Sequence, residues 1–244
     1  MSATVTKVVS GRGAWSNIGG TLNSAGTAPG PYYKAPASGA YKDMPGSKGA
    51  DAVKNSGTVD MNYFAVYMGV RAIQRHLGTP DDGVWGPNTD SKCKDWQKAH
   101  SLTADGICGP NTTKAMFLPL LNKSAGSDDQ VYYCCRGHVG HESAWDPAAV
   151  GFQTPEDLGL CQINGPAHPD MSAQERLRPE DSLPWVARFV ANNLAVMGNR
   201  VDGIAAYLLG TGGAQQWVKA DRPTMFYGVD IDAYVSSVRK QAEA

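Results

Sequence analysis

The sequence predicts a mainly α-helical protein of three segments: an irregular N-terminal arm, a small domain of three helices and a larger helix-rich domain. In the second and third segments, apolar residues recur at steps of three and four, as in helices with one buried face. The period-two alternation typical of half-buried strands is rare. The first segment shows neither period.

Residues 1–60 form the predicted arm. Half of them are Gly, Ala, Ser or Pro. A segment of this composition buries too little apolar surface to fold alone. It nevertheless carries aromatic residues at Trp15, Tyr32, Tyr33 and Tyr41. Two interpretations follow, an arm that lies against a surface and a mobile tail.

The small domain, predicted over residues 61–122, contains an internal repeat. "DGVWGPNT" begins at Asp82 and recurs as "DGICGPNT" at Asp105, 23 residues later. In each copy Asp-Gly predicts a turn, and Pro suits the first position of a helix. An apolar stripe from Val66 to Leu77 predicts the third helix, on which the other two pack.

This repeat, with "DWQKAH" between its copies, resembles the three-helix peptidoglycan-binding domain that targets bacterial and phage lytic enzymes to the cell wall. The resemblance covers residues 62–121 and implies peptidoglycan as the partner. The residues alone predict turns and a core, with Trp85, Trp96, Cys93 and Cys108 at positions suited to buried side chains.

The larger domain is predicted over residues 128–244, after the polar linker "LNKSAGSDDQ". One helix is expected to end near Glu142, and a loop region to follow up to about residue 180. Further helices are expected from Pro184, over "VDGIAAYLLG" and over "DIDAYVSSVRKQ".

Glu142 is the candidate acid of this domain. It ends a predicted helix and precedes Ala144 and Trp145. Burial against apolar groups raises the pKa of a carboxyl, and the negative end of a helix dipole also disfavours ionisation. A carboxylic acid that stays protonated can give its proton to the leaving oxygen of a glycosidic bond. A solvated surface carboxylate is the alternative.

Three separated motifs in this domain resemble soluble lytic transglycosylases and goose-type lysozymes of the lysozyme-like fold. "ESAWDPAAV", "LGLCQIN" and "AAYLLGTGG" correspond to the family patterns E-S, G-L-M-Q and A-Y-N-A-G. The resemblance implies that Glu142 is the general acid and that Ser143 assists it. It also implies a tyrosine whose hydroxyl supports the acid, Tyr207. The saccharide cleft would be lined by Gly159, Leu160, Cys161 and Gln162.

The chain departs from these patterns at three positions. Cys161 replaces Met, and Leu208 replaces an Asn that would bind substrate. "QINGPAHPD" has Asn164 where the goose-type pattern has an Asp, so no base is available there, while His168 matches the histidine of that pattern. Asn164 and His168 are therefore expected to bind substrate.

The nucleophile is left open by the sequence. An inverting hydrolase needs a second carboxylate to hold a water, whereas a transglycosylase uses the C6 hydroxyl of its own substrate. Glu156 and Asp157 are the candidates for positioning water, ahead of Asp146 and Asp170. Solvated loop charges are the alternative for all four.

No cofactor and no metal are predicted. His138, His141 and His168 lack the spacing of a zinc site. The five cysteines show no framework spacing, so we expect reduced, mostly buried thiols. A formal net charge of −1 gives no field for attracting nucleic acid or anionic membranes.

The sequence therefore predicts an enzyme that cleaves the MurNAc-GlcNAc bond of peptidoglycan by transglycosylation or hydrolysis. The first residues lack the apolar stretch of a signal peptide, and no long apolar run predicts a membrane span. We expect a phage endolysin made in the host cytoplasm and released by a holin, or a virion component whose arm contacts other virion proteins. The alternative is a non-catalytic virion or tail protein that binds wall glycan.

Overall fold

A computed structural model describes residues 4–6, 33, 45–55, 58–151 and 156–244. Its architecture is mainly α, as predicted. In chain order the elements are β1 (Thr4–Thr6), α1 (Ser47–Lys54), β2 (Thr58–Asp60), α2 (Met61–Leu77), α3 (Pro87–Ala99), α4 (Pro110–Ala125), α5 (Asp129–Ser143), β3 (Asp157–Leu158), β4 (Ile163–Asn164), α6 (Ala173–Arg176), α7 (Pro179–Met197), α8 (Arg200–Lys219), β5 (Met225–Phe226), β6 (Val229–Asp230) and α9 (Ile231–Glu243). The short strands pair as β1 with β2 in parallel, and as β3 with β4 and β5 with β6 in antiparallel.

The described residues divide into two compact units. The first unit contains the described residues of Met1–Phe117 and Ser143–Ser182. The second contains those of Leu118–Glu142 and Leu183–Ala244. The division differs from the predicted domain ranges, 61–122 and 128–244, which were set by motifs along the chain and stay predictions.

Most of the predicted arm, including Trp15, Tyr32 and Tyr41, lies outside the described residues. Tyr33 is described and fully buried, and its ring stacks on that of Trp85 with centroids 5.6 Å apart. This aromatic side chain of the arm is therefore part of the core of the first unit.

Helix α1 also lies within the predicted arm, and the sequence did not predict it. It begins after Gly46, whose φ of 88° suits glycine. The helix packs closely on α2, since a Cβ at Gly49 would lie 2.6 Å from the Cβ of Tyr67. Three of its eight residues are charged, which weakens the apolar period in the sequence.

Helix α2 carries the predicted apolar stripe, with Val66, Val70 and Ile73 buried. Helices α3 and α4 begin at the two repeat prolines, Pro87 and Pro110, which confirms the predicted helix starts. A proline suits this position because the first turn of a helix leaves its backbone N–H groups without partners in any case.

The first repeat turn is held by the buried side chain of Gln74. Its amide nitrogen donates to three acceptors, and its oxygen accepts from the nitrogen of Gly83 at 2.8 Å. The three acceptors are Asp82 Oδ1 (2.8 Å), the carbonyl of Val84 (3.0 Å) and Thr89 Oγ1 (3.1 Å).

The second repeat turn has the same network around Gln97, which is also buried. Its oxygen accepts from the nitrogen of Gly106 at 2.9 Å. Its amide nitrogen donates to Asp105 Oδ1 (3.1 Å), the carbonyl of Ile107 (3.0 Å) and Thr112 Oγ1 (3.1 Å). The duplication in sequence is therefore a duplicated hydrogen-bond network.

The second unit contains helices α5 and α9, which run antiparallel. Tyr133, near the start of α5, donates to Glu243 Oε1 at the end of α9 over 3.0 Å. Near the end of α5, His141 Nδ1 lies 2.7 Å from Ser237 Oγ of α9. These contacts align the last turn of α5 with the first turns of α9.

Three predicted boundaries were wrong. The expected linker is largely helical because α4 continues to Ala125, where Leu121 is fully buried and Ser124 bonds to a carbonyl of the previous turn. Helix α7 begins at Pro179, and Pro184 lies inside its first turns. Helix α8 extends well past the predicted motif and breaks at Gly210, where φ is 68° and ψ is 160°.

All five cysteines are buried and none of them forms a disulfide, as expected. Trp85, Cys93 and Cys108 are fully buried, as predicted, whereas Trp96 is half-buried and stacks on His100 with ring centroids 3.8 Å apart. Of the helices in the described ranges, none has both the length and the apolar character that crossing a bilayer requires.

We predict that Gln97→Glu destabilises the protein. The substitution keeps the oxygen that accepts from Gly106 and replaces the donor nitrogen by an oxygen that faces three acceptors. Buried polar groups left without partners cost about 1–3 kcal/mol each, so we expect the free energy of unfolding to fall by roughly 2–4 kcal/mol.

Urea denaturation followed by circular dichroism measures this loss. Lys98→Ala, at the exposed neighbouring position, is the matched control and should change the free energy of unfolding by at most about 0.5 kcal/mol. Equal losses in the two variants would contradict the assigned network.

Candidate active site

Glu142 lies in the last turn of α5, half-buried, in the second unit. The hydroxyl of Tyr234, from the second turn of α9, donates to Glu142 Oε1 over 2.7 Å. Tyr234 is only 8 % exposed, and burial next to Glu142 raises its pKa well above the usual value. The phenol therefore keeps its proton at neutral pH and acts as a permanent donor to one oxygen of the carboxyl group.

His138 lies one helical turn before Glu142 and is fully buried. Its Nδ1 is 3.1 Å from the hydroxyl oxygen of Tyr234. Burial, and to a smaller extent the nearby His141, lowers the pKa of His138 to about 3. Burial also lowers the pKa of His141. His138 is therefore neutral at neutral pH, and it contacts the hydroxyl of Tyr234 that bonds to the Glu142 carboxyl group.

A row of aromatic rings supports His138 within the same unit. The ring of Tyr207 stacks on His138 with centroids 4.0 Å apart and planes 20° apart. Phe189 meets Tyr207 edge-on at 5.5 Å, and Trp185 stacks on Phe189 at 4.8 Å. Tyr207 thus lies in the group of residues around Glu142, in contact with its histidine neighbour.

The chain reverses direction directly after Glu142. Ala144 and Trp145 both adopt positive φ, 50° and 68°, and the nitrogen of Asp146 donates to the carbonyl of Ser143 over 3.0 Å. The buried hydroxyl of Ser143 donates to the carbonyl of Leu160 over 2.9 Å. Ser143 is thereby bonded to the G-L-C-Q segment within the first unit.

Asp146 is 2 % exposed and accepts from the nitrogen of Ala148 over 2.9 Å. Burial raises its pKa to about 7, although the bond from Ala148 acts in the opposite direction. A carboxyl with this pKa is partly protonated at neutral pH. It holds the turn that follows Glu142.

The G-L-C-Q segment connects strands β3 and β4. Gly159 has a φ of 73°, and a Cβ there would lie 2.2 Å from the carbonyl oxygen of Arg176, so only glycine fits. The side chains of Leu160 and Cys161 are buried. Gln162, at φ 46°, donates from Nε2 to the carbonyl of Gly159 over 3.0 Å.

The remaining sequence candidates lie around this hairpin. Asn164 donates to Asp157 Oδ1 over 2.7 Å and accepts from the nitrogen of Ala167 over 2.9 Å. The guanidinium of Arg176 donates to the carbonyl of Glu156. His168 is half-buried in the turn after Asn164, to whose carbonyl its backbone nitrogen donates over 3.0 Å.

The structure thus brings the sequence candidates into two groups. In the second unit, Glu142 and Tyr207 share the neighbour His138. In the first unit, the other predicted residues surround the β3–β4 hairpin, namely Ser143, Glu156, Asp157, Gly159, Leu160, Gln162, Asn164 and His168. Their roles toward substrate stay predictions.

Sequence reasoning missed Tyr234, and it did not place His138 in contact with a residue that bonds to Glu142. A signal for Tyr234 existed, because it lies on the apolar face of α9 with Ile231, Val235 and Val238, where an aromatic hydroxyl needs a buried partner. Nothing in the sequence showed which helix would supply that partner.

A metal-ligand arrangement is not found in the described ranges, where no group of three or more His, Cys, Asp or Glu side chains is placed to hold an ion. Two of the histidines considered for zinc use their Nδ1 atoms within the second unit, His138 toward Tyr234 and His141 toward Ser237.

Two stretches of the chain match known protein families. Residues 69–116 match the peptidoglycan binding domain, and residues 139–226 match the Transglycosylase SLT domain. The second match includes Glu142 and Tyr207 and ends before Tyr234. No significant match was found among curated proteins or among solved structures.

Together these matches define a modular peptidoglycan-degrading enzyme, in which one segment binds the wall polymer and another cleaves it. The activity is that of a peptidoglycan lytic transglycosylase, which cleaves glycosidic bonds. The predicted class, an enzyme that acts on peptidoglycan, is confirmed.

We predict that Asp146→Asn changes how stability depends on pH. The pKa of Asp146 in the folded protein, about 7, exceeds the value of about 3.9 expected when unfolded. The folded state therefore binds this proton more tightly, so the free energy of unfolding falls as pH rises from about 4 to 7. The variant should be more stable than the parent at pH 8, by at most about 4 kcal/mol, and the difference should vanish near pH 4.

Urea denaturation at several pH values measures this difference. Asp170→Asn, at an exposed position of the same unit, is the control and should follow the parent throughout. A difference between Asp146→Asn and the parent that is constant with pH would show that the carboxyl is not the titrating group.

Proposed function

We propose that Glu142 is the general acid that cleaves the MurNAc-GlcNAc bond of peptidoglycan by lytic transglycosylation. The observation that carries this proposal is the hydrogen bond of 2.7 Å from Tyr234 to Glu142 Oε1, made by a buried phenol at the end of α5. A surface carboxylate has no need of a dedicated buried donor. The Transglycosylase SLT match over residues 139–226 supports the reaction type.

The hydrogen bond from Tyr234 supports Oε2 as the oxygen of Glu142 that delivers the proton. Since Oε1 accepts from Tyr234, the proton of the neutral carboxylic acid belongs on Oε2. As the bond between C1 of MurNAc and the bridging oxygen breaks, Oε2 protonates that oxygen, and GlcNAc leaves as an alcohol. The carboxylate that remains is stabilised by the hydroxyl of Tyr234, because hydrogen bonds to charged acceptors are the stronger ones.

The second step returns the proton to Glu142. The C6 hydroxyl of MurNAc attacks C1, its proton passes to the carboxylate, and a 1,6-anhydro ring closes. One C–O bond is broken and one is formed, so no water is consumed. A single carboxyl group serves first as acid and then as base, which removes the need for a second carboxylate.

The hydrogen bonding of Asp157 supports the C6 hydroxyl as the nucleophile, rather than a water activated by this carboxylate. Its Oδ1 accepts from Asn164 over 2.7 Å, which commits one carboxylate oxygen to the β3–β4 pair.

We propose that the residues predicted to contact saccharide bind the glycan, through backbone groups in the case of the buried Leu160. They are Ser143, Gly159, Leu160, Gln162, Asn164, His168 and Tyr207.

We extend the proposal to the biological setting, a phage lysin that is either released by a holin or carried in the virion. A wall-binding and a wall-cleaving segment in one chain support a dedicated lytic role. The aromatic residues of the arm support contacts with other virion proteins.

We predict that Glu142→Gln abolishes wall cleavage and leaves folding and wall binding intact. Glutamine retains an oxygen that can accept from Tyr234 but has no proton to deliver, so the bridging oxygen would have to leave as an alkoxide. General acid assistance is worth about 10²- to 10⁴-fold in rate. Turbidity of purified peptidoglycan measures cleavage, and sedimentation with insoluble peptidoglycan measures binding.

Glu175→Gln is the matched control, since it makes the same chemical change on an exposed glutamate of a short helix. It should retain the parent rate. If Glu142→Gln still clears peptidoglycan at more than about one hundredth of the parent rate, Glu142 is not the acid.

We predict that Asp157→Asn and Glu156→Gln lower the rate only a few-fold. An asparagine at position 157 keeps an oxygen for Asn164 and removes only the charge, which matters little if the C6 hydroxyl is the nucleophile. Mass spectrometry should find 1,6-anhydro products with parent and variants alike. Products with reducing ends, together with a loss of more than about 100-fold in either variant, would instead establish hydrolysis with a second carboxylate.

A further inference from the structure

His138 is a buried polar side chain with a defined place in the candidate site. It lies one turn before Glu142 on α5, is 0 % exposed, and is covered on one face by the ring of Tyr207. A buried imidazole is costly unless it is hydrogen-bonded, and within the described ranges Tyr234, at 3.1 Å from Nδ1, is its one hydrogen-bond partner.

The direction of this contact follows from the next one. Tyr234 has one hydroxyl proton, which it donates to Glu142 Oε1. The oxygen of Tyr234 must therefore accept from His138, which assigns the imidazole proton to Nδ1. Among the described residues, His138 Nε2 has no hydrogen-bond partner, so the other tautomer would bury an N–H without an acceptor.

The other tautomer would also change the state of Tyr234. With the proton on Nε2, the bare Nδ1 would accept from the phenol and compete with Glu142 for its one proton. Because its pKa is lowered to about 3, His138 is neutral at neutral pH and carries one proton, on either Nδ1 or Nε2. The burial of Nε2 settles that choice in favour of Nδ1.

We propose that His138 is a positioning residue for the acid, whose Nδ1–H holds the Tyr234 hydroxyl so that the phenol donates to Oε1 of Glu142. This inference rests on the proposed role of Glu142. The chain of donors from His138 through Tyr234 to Glu142 strengthens the last bond, since each hydrogen bond polarises the next. It also keeps the acidic proton on Oε2.

Two substitutions of His138 separate the position of the donor from the size of the side chain. The amide nitrogen of asparagine lies the same number of bonds from Cβ as Nδ1, whereas that of glutamine corresponds to Nε2. If the donor at Nδ1 matters, His138→Asn should stay within about 3-fold of the parent kcat and His138→Gln should lose about 10-fold or more. A requirement for volume would reverse this order, because glutamine is closer to histidine in size.

A double-mutant cycle tests whether His138 acts through Tyr234. His138→Phe keeps a ring for Tyr207 to stack on and removes both nitrogens, and Tyr234→Phe removes only the hydroxyl. We expect each single variant to lose about 10- to 100-fold in kcat with little change in KM. The double variant should fall within about 3-fold of Tyr234→Phe, because an interaction already lost cannot be lost again.

The measurements use the full chain on purified peptidoglycan, with thermal unfolding and wall sedimentation to confirm that each variant folds. Multiplying losses in the cycle, or glutamine outperforming asparagine, would overturn the positioning role while leaving an inactive Glu142→Gln variant as support for the acid. An active Glu142→Gln variant would overturn the acid assignment and, with it, the role of His138.

Discussion

The close approach of helices α5 and α9 determines the surroundings of Glu142. A Cβ at Gly137 would lie 2.4 Å from the carbonyl oxygen of Val238, and one at Gly140 would lie 2.9 Å from a side-chain carbon of α9. Larger residues at both positions would push the helices apart. Because the Tyr234–Glu142 bond spans this same contact, an added ångström of separation would break it.

The same contact explains how a buried histidine and tyrosine are tolerated. Burying an unpaired polar group costs about 1–3 kcal/mol, which apolar residues of similar shape would avoid. His138 and Tyr234 offset this cost by bonding to each other and to Glu142. Apolar side chains would also allow α9 to pack on α5, so we attribute the imidazole of His138 and the hydroxyl of Tyr234 to hydrogen bonding of the Glu142 carboxyl group.

Periodicity and turn chemistry predicted much of the fold, because α2 buries one stripe and the repeats place a proline at each helix start. The repeat is longer than the two Asp-Gly motifs, since Gln74 and Gln97 also lie 23 residues apart, each eight residues before an Asp-Gly turn. The Tyr234–Glu142 pair, by contrast, joins residues 92 positions apart. Local patterns carry no information about such a contact, so Glu142 could be named as a candidate from its motif, whereas its hydrogen-bond donor could not be predicted.

Within the first unit, helix α2 of the wall-binding segment packs against the segment that follows Glu142. Arg75 and Glu180 form a two-pronged ion pair there, at 3.1 and 3.2 Å, but with side chains 28 % and 41 % exposed it contributes at most about 1 kcal/mol. Packing contributes more: a Cβ at Gly69 would lie 2.3 Å from the hydroxyl of Tyr33 and 2.8 Å from the Cβ of Ala148. Helix α2 is thereby part of the same core of the first unit as the turn after Glu142.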